Sequence, residues 1–316
     1  MSILGIDIGG TQTTVGVADR SGKLLLHKRI LTPNVLGPMM NIGMILPAAD
    51  EVVRKQGERV KAIGIGCGGP LDRKTGTLHK VSNLPGWEGI CLTEIFSEEF
   101  GAPAYLDNDA TAAAMGEAMS GAGKGVDNFV YFTISTGIGG GIIIGGKPYR
   151  GCGENAGEFG HMKLSDEGPV CNCGDRGCLE AYASGTAIAR IAMEGLDAHP
   201  QSKLGSAEEI TAELVASAAA EGDEYACEVW YGAMRNLGLG VANVVNALNP
   251  RRVILGGGVT KAGEMLLEPV RQVVEERAMH ALVADVEIVL AANGDLTGVM
   301  GAIAVAMDAI GAANVI

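Results

Sequence analysis

The feature that most constrains the fold is a pattern that occurs twice, in which an apolar strand, a glycine-rich turn and a second apolar strand follow one another. The first copy, IDIGGTQTTVGV, begins at Ile6, and the second, TISTGIGGGIII, begins at Thr133. Between and after the two copies, strand patterns alternate with helical patterns, which is typical of α/β folds. The repetition predicts two similarly built α/β domains.

The helical and strand patterns indicate where the first domain ends. They predict a helix over about 38–56, a buried strand from Val60, a helix that stops at Gly101, a strand in PAYLDND and a helix from Asp109. We therefore expect an N-terminal domain at 1–109 and a C-terminal domain at 110–295. The last helix, within 296–316, is expected to return and pack on the first domain.

Composition limits the classes of partner. The chain has 316 residues, 47% of them apolar, and a net charge of −13, which argues against nucleic-acid and anionic membrane surfaces because those depend on clustered Lys and Arg. It has no uncharged apolar stretch of about 18 residues and its start lacks the pattern of a signal peptide. We expect a cytoplasmic protein with a small-molecule partner, bound to neither nucleic acid nor membrane.

Three glycine-rich turns, each after an apolar strand, predict a nucleotide site. They are DIGGT (Asp7–Thr11), STGIGGG (Ser135–Gly141) and LGGGV (Leu255–Val259). Glycine lets backbone N–H groups approach a phosphate closely. The chain contains neither a P-loop nor a dinucleotide fingerprint. Asp7 stands beside the first turn, where a carboxylate is expected to hold Mg²⁺ through water.

Asp109 stands where a predicted strand passes directly into an alanine-rich helix. One interpretation makes it the N-cap, whose side chain accepts N–H groups that the first helical turn leaves free. The other makes it a general base, because phosphoryl transfer to a hydroxyl needs a carboxylate that orients the hydroxyl and takes its proton. The two roles are compatible, and the sequence leaves both open.

A zinc site is predicted by one histidine and three cysteines with spacings of 10, 2 and 5: His161, Cys171, Cys173 and Cys178. A Cys₃His set suits tetrahedral Zn²⁺, and four protein ligands leave no position for a reactive water, so the predicted zinc is structural. We expect it to fix the loop 161–178, together with Glu158 and Glu180, for contact with sugar hydroxyls. Cysteines 67, 91 and 227 are expected in the core, and the role of Cys152 stays open.

The order of the motifs resembles that of a known family. DIGGT, NLPGW, NDA, STGIGGG, GEFGH, CNCGDRGCLE and LGGGV follow one another over essentially the whole chain, as in the ROK family of sugar kinases and sugar-responsive repressors. The resemblance implies a two-domain actin-like (ribonuclease H-like) ATPase fold. It also implies ATP, Mg²⁺ and sugar in the cleft between the domains, and a homodimer or higher homo-oligomer.

The resemblance assigns roles residue by residue. It makes Asp109 the catalytic base. It implies sugar contacts from Asn83, Asn108, Asp109, Glu158, His161 and Glu180. It places near the nucleotide Gly9, Gly10, Thr11, Thr136, Gly137 and Gly257, beside Asp7. His161 would direct one ring nitrogen to zinc and the other to a sugar hydroxyl.

Two departures from the family pattern concern the ligand sites. Gln12 stands where many members carry Lys or Asn, and GCGGP (Gly66–Pro70) differs from the GxPGP of many glucose enzymes, which leaves the pocket near the sugar 2-position open. We expect an ATP-dependent hexose kinase acting on glucose, with N-acetylmannosamine and N-acetylglucosamine as alternatives. A repressor is disfavoured because it needs a DNA-binding helix-turn-helix ahead of DIGGT, where four residues precede Gly5.

Overall fold

The computed structural model describes residues 2–79 and 84–311. Its strands are β1 (Ser2–Ile8), β2 (Gln12–Ala18), β3 (Leu24–Leu31), β4 (Val60–Cys67), β5 (Leu71–Asp72), β6 (Thr77–Leu78), β7 (Ala104–Asn108), β8 (Phe129–Ile134), β9 (Ile138–Ile144), β10 (Lys147–Pro148), β11 (Arg252–Gly256) and β12 (Glu287–Leu290). Its α-helices are α1 (Gly37–Gln56), α2 (Leu92–Phe100), α3 (Asp109–Ser120), α4 (Glu180–Ala183), α5 (Gly185–Gly195), α6 (Ala212–Ala220), α7 (Glu224–Leu248), α8 (Glu264–Arg277), α9 (His280–Val283) and α10 (Thr297–Ala309). Short 3₁₀ helices include Phe159–His161, Gly258–Ala262 and Gly294–Leu296.

The described residues fall into two compact units. The first is bounded by Met1–Tyr131, Gly141–Gly157 and Ala291–Ile316, and the second by Phe132–Gly140 and Glu158–Leu290. Residues 110–131 have their contacts in the first unit because α3 packs against α10. A domain boundary after residue 109 stays a prediction, and this division of contacts does not coincide with it.

The first unit is built on a five-stranded sheet in the order β3-β2-β1-β4-β7. Strands β1, β2 and β3 are antiparallel neighbours, whereas β1, β4 and β7 run parallel to one another. In the parallel part, Asp7 is the register partner of Gly66, and Gly66 is the partner of Asp107. Parallel strands end at the same edge of a sheet. The ends of β1, β4 and β7 therefore bring Asp7 and the start of α3 to one edge.

Helix α10 packs on this sheet, although more than 180 residues of chain separate it from β7. One face of α10 forms an apolar cluster with Ile3, Ala18 and Ala62, to which the helix contributes Val299, Met300, Ile303, Ala306 and Met307. The other face of the sheet covers a second cluster with α1 and α2, in which Trp87 and Phe96 are fully buried. The central strands β1, β2 and β4 are thus almost wholly buried, whereas the edge strand β3 is largely exposed.

The second unit contains α4 to α9 and a sheet in the order β10-β9-β8-β11-β12, of which β10 and parts of β8 and β9 belong to the first unit. Strands β11 and β12 are parallel. Helix α7 packs against α6 and α8, and Trp230 on α7 donates a hydrogen bond to the Met265 carbonyl, 3.0 Å away. None of the described helices is long and apolar enough to cross a membrane.

Candidate active site and metal centre

The junction of β7 and α3 separates two roles that the sequence left open. The N-cap of α3 is Asn108, whose Oδ1 accepts the N–H groups of Ala110 at 3.0 Å and Thr111 at 3.1 Å. Asp109 is the first residue of the helix, and its Oδ1 accepts the N–H of Ala110 at 2.8 Å. The interpretation of Asp109 as the N-cap is therefore wrong, because its neighbour already performs the capping.

Asp7 and Asp109 form an electrostatically coupled pair at the carboxyl edge of the first sheet. A β-carbon at Gly66, in the strand between them, would lie 3.7 Å from Asp7 Oδ1 and 3.9 Å from Asp109 Cα. Burial and, as a smaller cause, the Asp109 carboxylate together raise the pKa of Asp7 to about 7, against the opposing effect of Arg29. Burial also raises the pKa of Asp109, against the N–H of Ala110. A carboxyl with a raised pKa is suited to general-base chemistry near neutral pH.

The first turn of α10 encloses the Asp7 carboxylate. A β-carbon at Gly298 would lie 2.0 Å from Asp7 Oδ2, so any side chain at this position would displace the carboxylate. The N-terminal end of a helix carries a partial positive charge. Gly298 therefore lets α10 bring that end directly against Asp7, a contact that no sequence motif indicates.

The turn between β1 and β2 has the geometry of the predicted phosphate turn. The Gly9 N–H donates to the Gln12 carbonyl at 3.0 Å, which closes the turn. Gly10 is partly exposed and Thr11 is exposed. The turn Gly9–Thr11 is thus partly exposed, and its role in binding a phosphate stays a prediction.

The nucleotide turns predicted in the second unit lie side by side. The Ser135 N–H donates to the Gly137 carbonyl at 2.9 Å, and Thr186 Oγ1 donates to the Thr136 carbonyl at 2.7 Å. Gly257 has a φ of 92°, and a β-carbon there would lie 2.4 Å from the Ile134 carbonyl oxygen. Only glycine fits at this position, and it brings the turn after β11 against the end of β8.

The four predicted zinc ligands converge in the second unit. Nδ1 or Nε2 of His161 and the Sγ atoms of Cys171, Cys173 and Cys178 lie within 4.8 Å of one another. His161 Nδ1 is 3.7 Å from Cys171 Sγ, and the Sγ atoms of Cys173 and Cys178 are 3.8 Å apart. A tetrahedral zinc with Zn–S bonds of about 2.3 Å places its sulfur ligands about 3.8 Å apart. The donor types and separations therefore fit Zn²⁺.

The affinity of this site for a metal depends on the protonation of its thiols. Burial is the main cause that raises the pKa of Cys171 to about 12, whereas the Asp175 backbone lowers the pKa of Cys173. A metal must displace the thiol protons, so metal affinity rises with pH. Cys152 is exposed and outside the set, Cys67 is buried as expected, and Cys91 and Cys227 are only partly buried.

Glu158 and Glu180 are positioned next to the cysteine set. Glu180 begins α4, and its Oε2 accepts the Ile138 N–H at 2.8 Å while its Oε1 is 3.8 Å from Cys171 Sγ. Glu158 Oε2 lies 3.9 Å from His161 Nε2, the ring nitrogen that points away from Cys171. The structure thus brings together Glu158, His161 and Glu180. The prediction for Asn83 lies outside the described residues.

Comparison with known proteins identifies the family. The family model described as "ROK family" matches residues 3–309. The chain belongs to the ROK family. Within it, the chain is 35% identical to a glucokinase of Thermotoga maritima, over 98% of this chain and 99% of the relative. It is 31% identical to a xylose repressor of Caldicellulosiruptor bescii, over 97% of this chain and 78% of that protein.

A solved ROK structure confirms the fold class. The structure of a ROK family glucokinase from Streptomyces griseus, in complex with glucose and AMPPNP, is similar with a TM-score of 0.84 and 34% identity, over 98% of this chain and 100% of that one. The predicted membership of the ROK family and the predicted actin-like α/β fold are therefore correct.

The sequence analysis did not single out three charged residues on or beside the strand and helix that carry the predicted base: Asp107, Glu117 and Arg150. The Asp107 side chain is 1% exposed and binds Arg150, whose Nη2 lies 2.6 Å from Asp107 Oδ2. Glu117 is fully buried on α3. It accepts the N–H groups of Ala122 at 2.7 Å, Ala292 at 3.0 Å and Asn293 at 3.1 Å, and the hydroxyl of Thr297 at 3.1 Å. Glu117 thereby fixes the segment that leads into α10, up to Thr297, the residue directly before Gly298.

Proposed function

We propose that the protein is an ATP-dependent sugar kinase that transfers the γ-phosphoryl group of ATP to the 6-hydroxyl of glucose. The proposal is supported by similarity over almost the whole chain to glucokinases. The structure supplies a coupled carboxylate pair, accessible glycine turns and a Cys₃His set, in the pattern expected of such an enzyme.

One observation carries the proposal, namely the position of Asp109 at the start of α3 together with its raised pKa. Its carboxylate begins α3 without serving as the cap, and burial raises its pKa. A residue kept only for helix stability would occupy the N-cap position, where Asn108 is found. Asp109 Oδ1 accepts the Ala110 N–H, and the second carboxylate oxygen would accept the proton of a substrate hydroxyl.

The chemistry then follows from the residues of the first unit. One Asp109 carboxylate oxygen accepts the proton of the sugar hydroxyl as its oxygen attacks the γ-phosphorus and the bond to the β-phosphate oxygen breaks. Asp7 would hold Mg²⁺ through water, and the metal, when bound, neutralises charge on the phosphates. The turn Gly9–Thr11 offers its backbone to the phosphates.

In the second unit, we assign sugar binding to Glu158, His161 and Glu180, and nucleotide binding to Thr136, Gly137 and Gly257. His161 Nδ1 would bind zinc, which leaves Nε2 and Glu158 for a hydroxyl. The zinc, when bound by His161, Cys171, Cys173 and Cys178, cross-links the loop and has no part in the chemistry. Asn83 and Asn108 complete the proposed sugar contacts. A cytoplasmic homodimer remains a prediction, which sedimentation of the purified protein tests.

A substrate panel tests the function. We expect ATP-dependent ADP release with glucose to exceed that with mannose, N-acetylglucosamine and N-acetylmannosamine in kcat/KM, and glycerol to be rejected by about 10⁴-fold or more, because a site built for several hydroxyls leaves polar groups unpaired with a smaller alcohol. A preference for an N-acetylhexosamine would replace glucose in the proposal. Equal turnover of glycerol and the hexoses would contradict a sugar kinase.

A further inference from the structure

Two arginines converge on the carboxylate of Asp107, which lies two residues before the proposed base Asp109. Arg150 approaches Asp107 Oδ2 with two nitrogens, Nε at 3.0 Å and Nη2 at 2.6 Å. Arg73 Nε lies 3.3 Å from the same oxygen. The Asp107 side chain is 1% exposed, so water contributes little to solvating its charge. The two guanidinium groups therefore provide most of the compensation for burying it.

The same two arginines belong to or contact one loop: Arg150 begins it, and Arg73 pairs with Glu154 inside it. The loop Arg150–Ala156 is closed by a hydrogen bond of 3.0 Å from the Ala156 N–H to the Arg150 carbonyl. Within it, Glu154 has a φ of 58°, a conformation uncommon for a residue with a side chain. Glu154 Oε2 is 2.8 Å from Arg73 Nη1, an ion pair that favours this conformation. We name the four residues Arg73, Asp107, Arg150 and Glu154 the arginine clamp.

A continuous series of contacts leads from the clamp to Asp109. While Asp107 Oδ2 binds Arg150, its Oδ1 accepts the Asn108 N–H at 2.9 Å. The side chain of Asn108 in turn caps α3, of which Asp109 is the first residue. The peptide group between Asp107 and Asn108, which leads directly into the cap of α3, is thus bonded to a carboxylate that Arg150 holds with two nitrogens.

We propose that Arg150 is a positioning residue for phosphoryl transfer, acting through Asp107 on the orientation of Asp109. This proposal rests on the proposed function, since it requires Asp109 to be the base. A fixed base matters because a misplacement of about 1 Å in a reacting group can cost about 10²-fold in rate. Arg150 differs from the base in having no contact with the reacting atoms.

The test combines Arg150→Met and Arg150→Lys with Asp109→Asn. Arg150→Met keeps the length of the side chain and removes the charge and donors, whereas Arg150→Lys keeps the charge and loses the two-point geometry. Arg54→Met is the matched control, because Arg54 makes an exposed ion pair with Asp50 on α1. For each protein, kcat and KM for glucose and the thermal unfolding midpoint are measured.

We expect Arg150→Met to lower kcat by about 30-fold and to change KM by less than about threefold, because it disturbs orientation rather than binding. In the Asp109→Asn background the same substitution should lower kcat by less than about threefold, since there is no base left to orient. Arg54→Met should leave kcat unchanged. If Arg150→Met does not fold, Arg150→Lys should show the same dependence on Asp109 with a loss of about tenfold.

Equal losses of kcat in the presence and absence of the Asp109 carboxylate would overturn the proposal, because a purely structural role lowers both alike. A rise in KM with kcat unchanged would overturn it as well. A wild-type protein that phosphorylates no sugar would overturn the proposed function itself, and with it the role of Arg150. That outcome is seen before any variant is compared.

Discussion

The carboxylate edge of the first unit and the cysteine set of the second unit each gather several ionisable side chains in a small volume. The two sites differ in the kind of cation that their side chains suit. At the edge, Asp7 and Asp109 face each other's charge in partly buried positions, and the pKa of Asp7 rises to about 7. In the set, His161 and three cysteines converge with separations that fit one zinc ion. In both regions the charged forms of the side chains repel one another or lose contact with water. A bound cation would compensate for this cost.

The difference lies in what each cation would do. A tetrahedral set of four protein ligands leaves its metal no open position and binds it tightly. Because the unfolded chain has no such site, the free energy of metal binding stabilises the fold. The carboxylate edge offers two charged side chains, too few for a permanent magnesium site. In the proposed function, this edge keeps its unfavourable charge until substrate and Mg²⁺ bind. One region is built for stability, and the other gives up stability for chemistry.

The sharpest way to break this comparison is Asp109→Asn, which removes the charge and keeps the size. We expect kcat to fall by about 10² to 10⁴-fold, the range typical of a lost general base, while glucose binding and folding persist. The measurements are steady-state kinetics and thermal unfolding.

Asp223→Asn provides the reciprocal control, because Asp223 is a true N-cap. Its side chain accepts the Ala226 N–H at 2.9 Å and the Lys203 N–H at 2.7 Å. Asn keeps one accepting oxygen for the cap but puts an NH₂ group where Oδ2 accepts the Lys203 N–H, so this variant should lose stability on the order of 1 kcal/mol and keep its kcat. Near-normal kcat in well-folded Asp109→Asn would remove Asp109 from the catalytic role and direct attention to Asp7.

The second prediction concerns the cysteine set. Cys173→Ala leaves three ligands, so we expect zinc content to fall from about one ion per chain to well below that, together with a lower unfolding temperature. Elemental analysis and calorimetry measure the two effects. Cys152→Ala, an exposed thiol outside the set, should change neither. Zinc-free wild-type protein with full stability would show that the set has no structural role.

The smallest expected effect concerns the carboxylate edge, namely the cost of the Asp7 charge to stability. The raised pKa of Asp7 means that the folded protein holds a proton which the unfolded chain releases above pH 4. This contribution to stability is complete below pH 3.8 and is lost as pH rises through about 7. Without nucleotide and Mg²⁺, Asp7→Asn should therefore be more stable than wild type at pH 8, on the order of 2 kcal/mol, and equally stable near pH 4.

Denaturant unfolding at several pH values measures this difference, and Asp308→Asn, an exposed carboxylate on α10, is the control. Asp7→Asn should also be inactive, so that stability and activity change in opposite directions. If the variant were less stable than wild type at pH 8, the buried charge would not be a cost to the fold.

The elements that sequence could predict are those that depend on local patterns. Gly101, with a φ of 60° that favours glycine, is the C-cap of helix α2, and β4 is buried at every residue except Lys61. The metal ligands were predictable because thiols at short spacing have few other uses in a reducing compartment. Assigning the cap of α3 failed because Asn108 and Asp109 are both good caps, and backbone geometry alone decides between them.

The contacts that sequence could not predict join distant segments. Asp107 and Arg150 are 43 residues apart, and Glu117 and Thr297 are 180 apart. No periodic pattern marks such pairs, although an acidic residue inside an apolar strand, as at Asp107, signals a buried partner. The contact of Gly298 with Asp7 depends on how α10 returns to the sheet, which only the folded chain determines.

The place of α10 in the first unit has a consequence for biosynthesis. Ile3, Ala18 and Ala62 are synthesised before the second unit, yet the apolar surface that covers them comes from residues 297–309. Domains generally fold as units during synthesis, starting from the N-terminus. Here the segments of the second unit emerge before α10 does. The nascent first unit must therefore keep one face of its sheet uncovered until translation has passed α10, and during that interval the chain presents a surface that chaperones recognise.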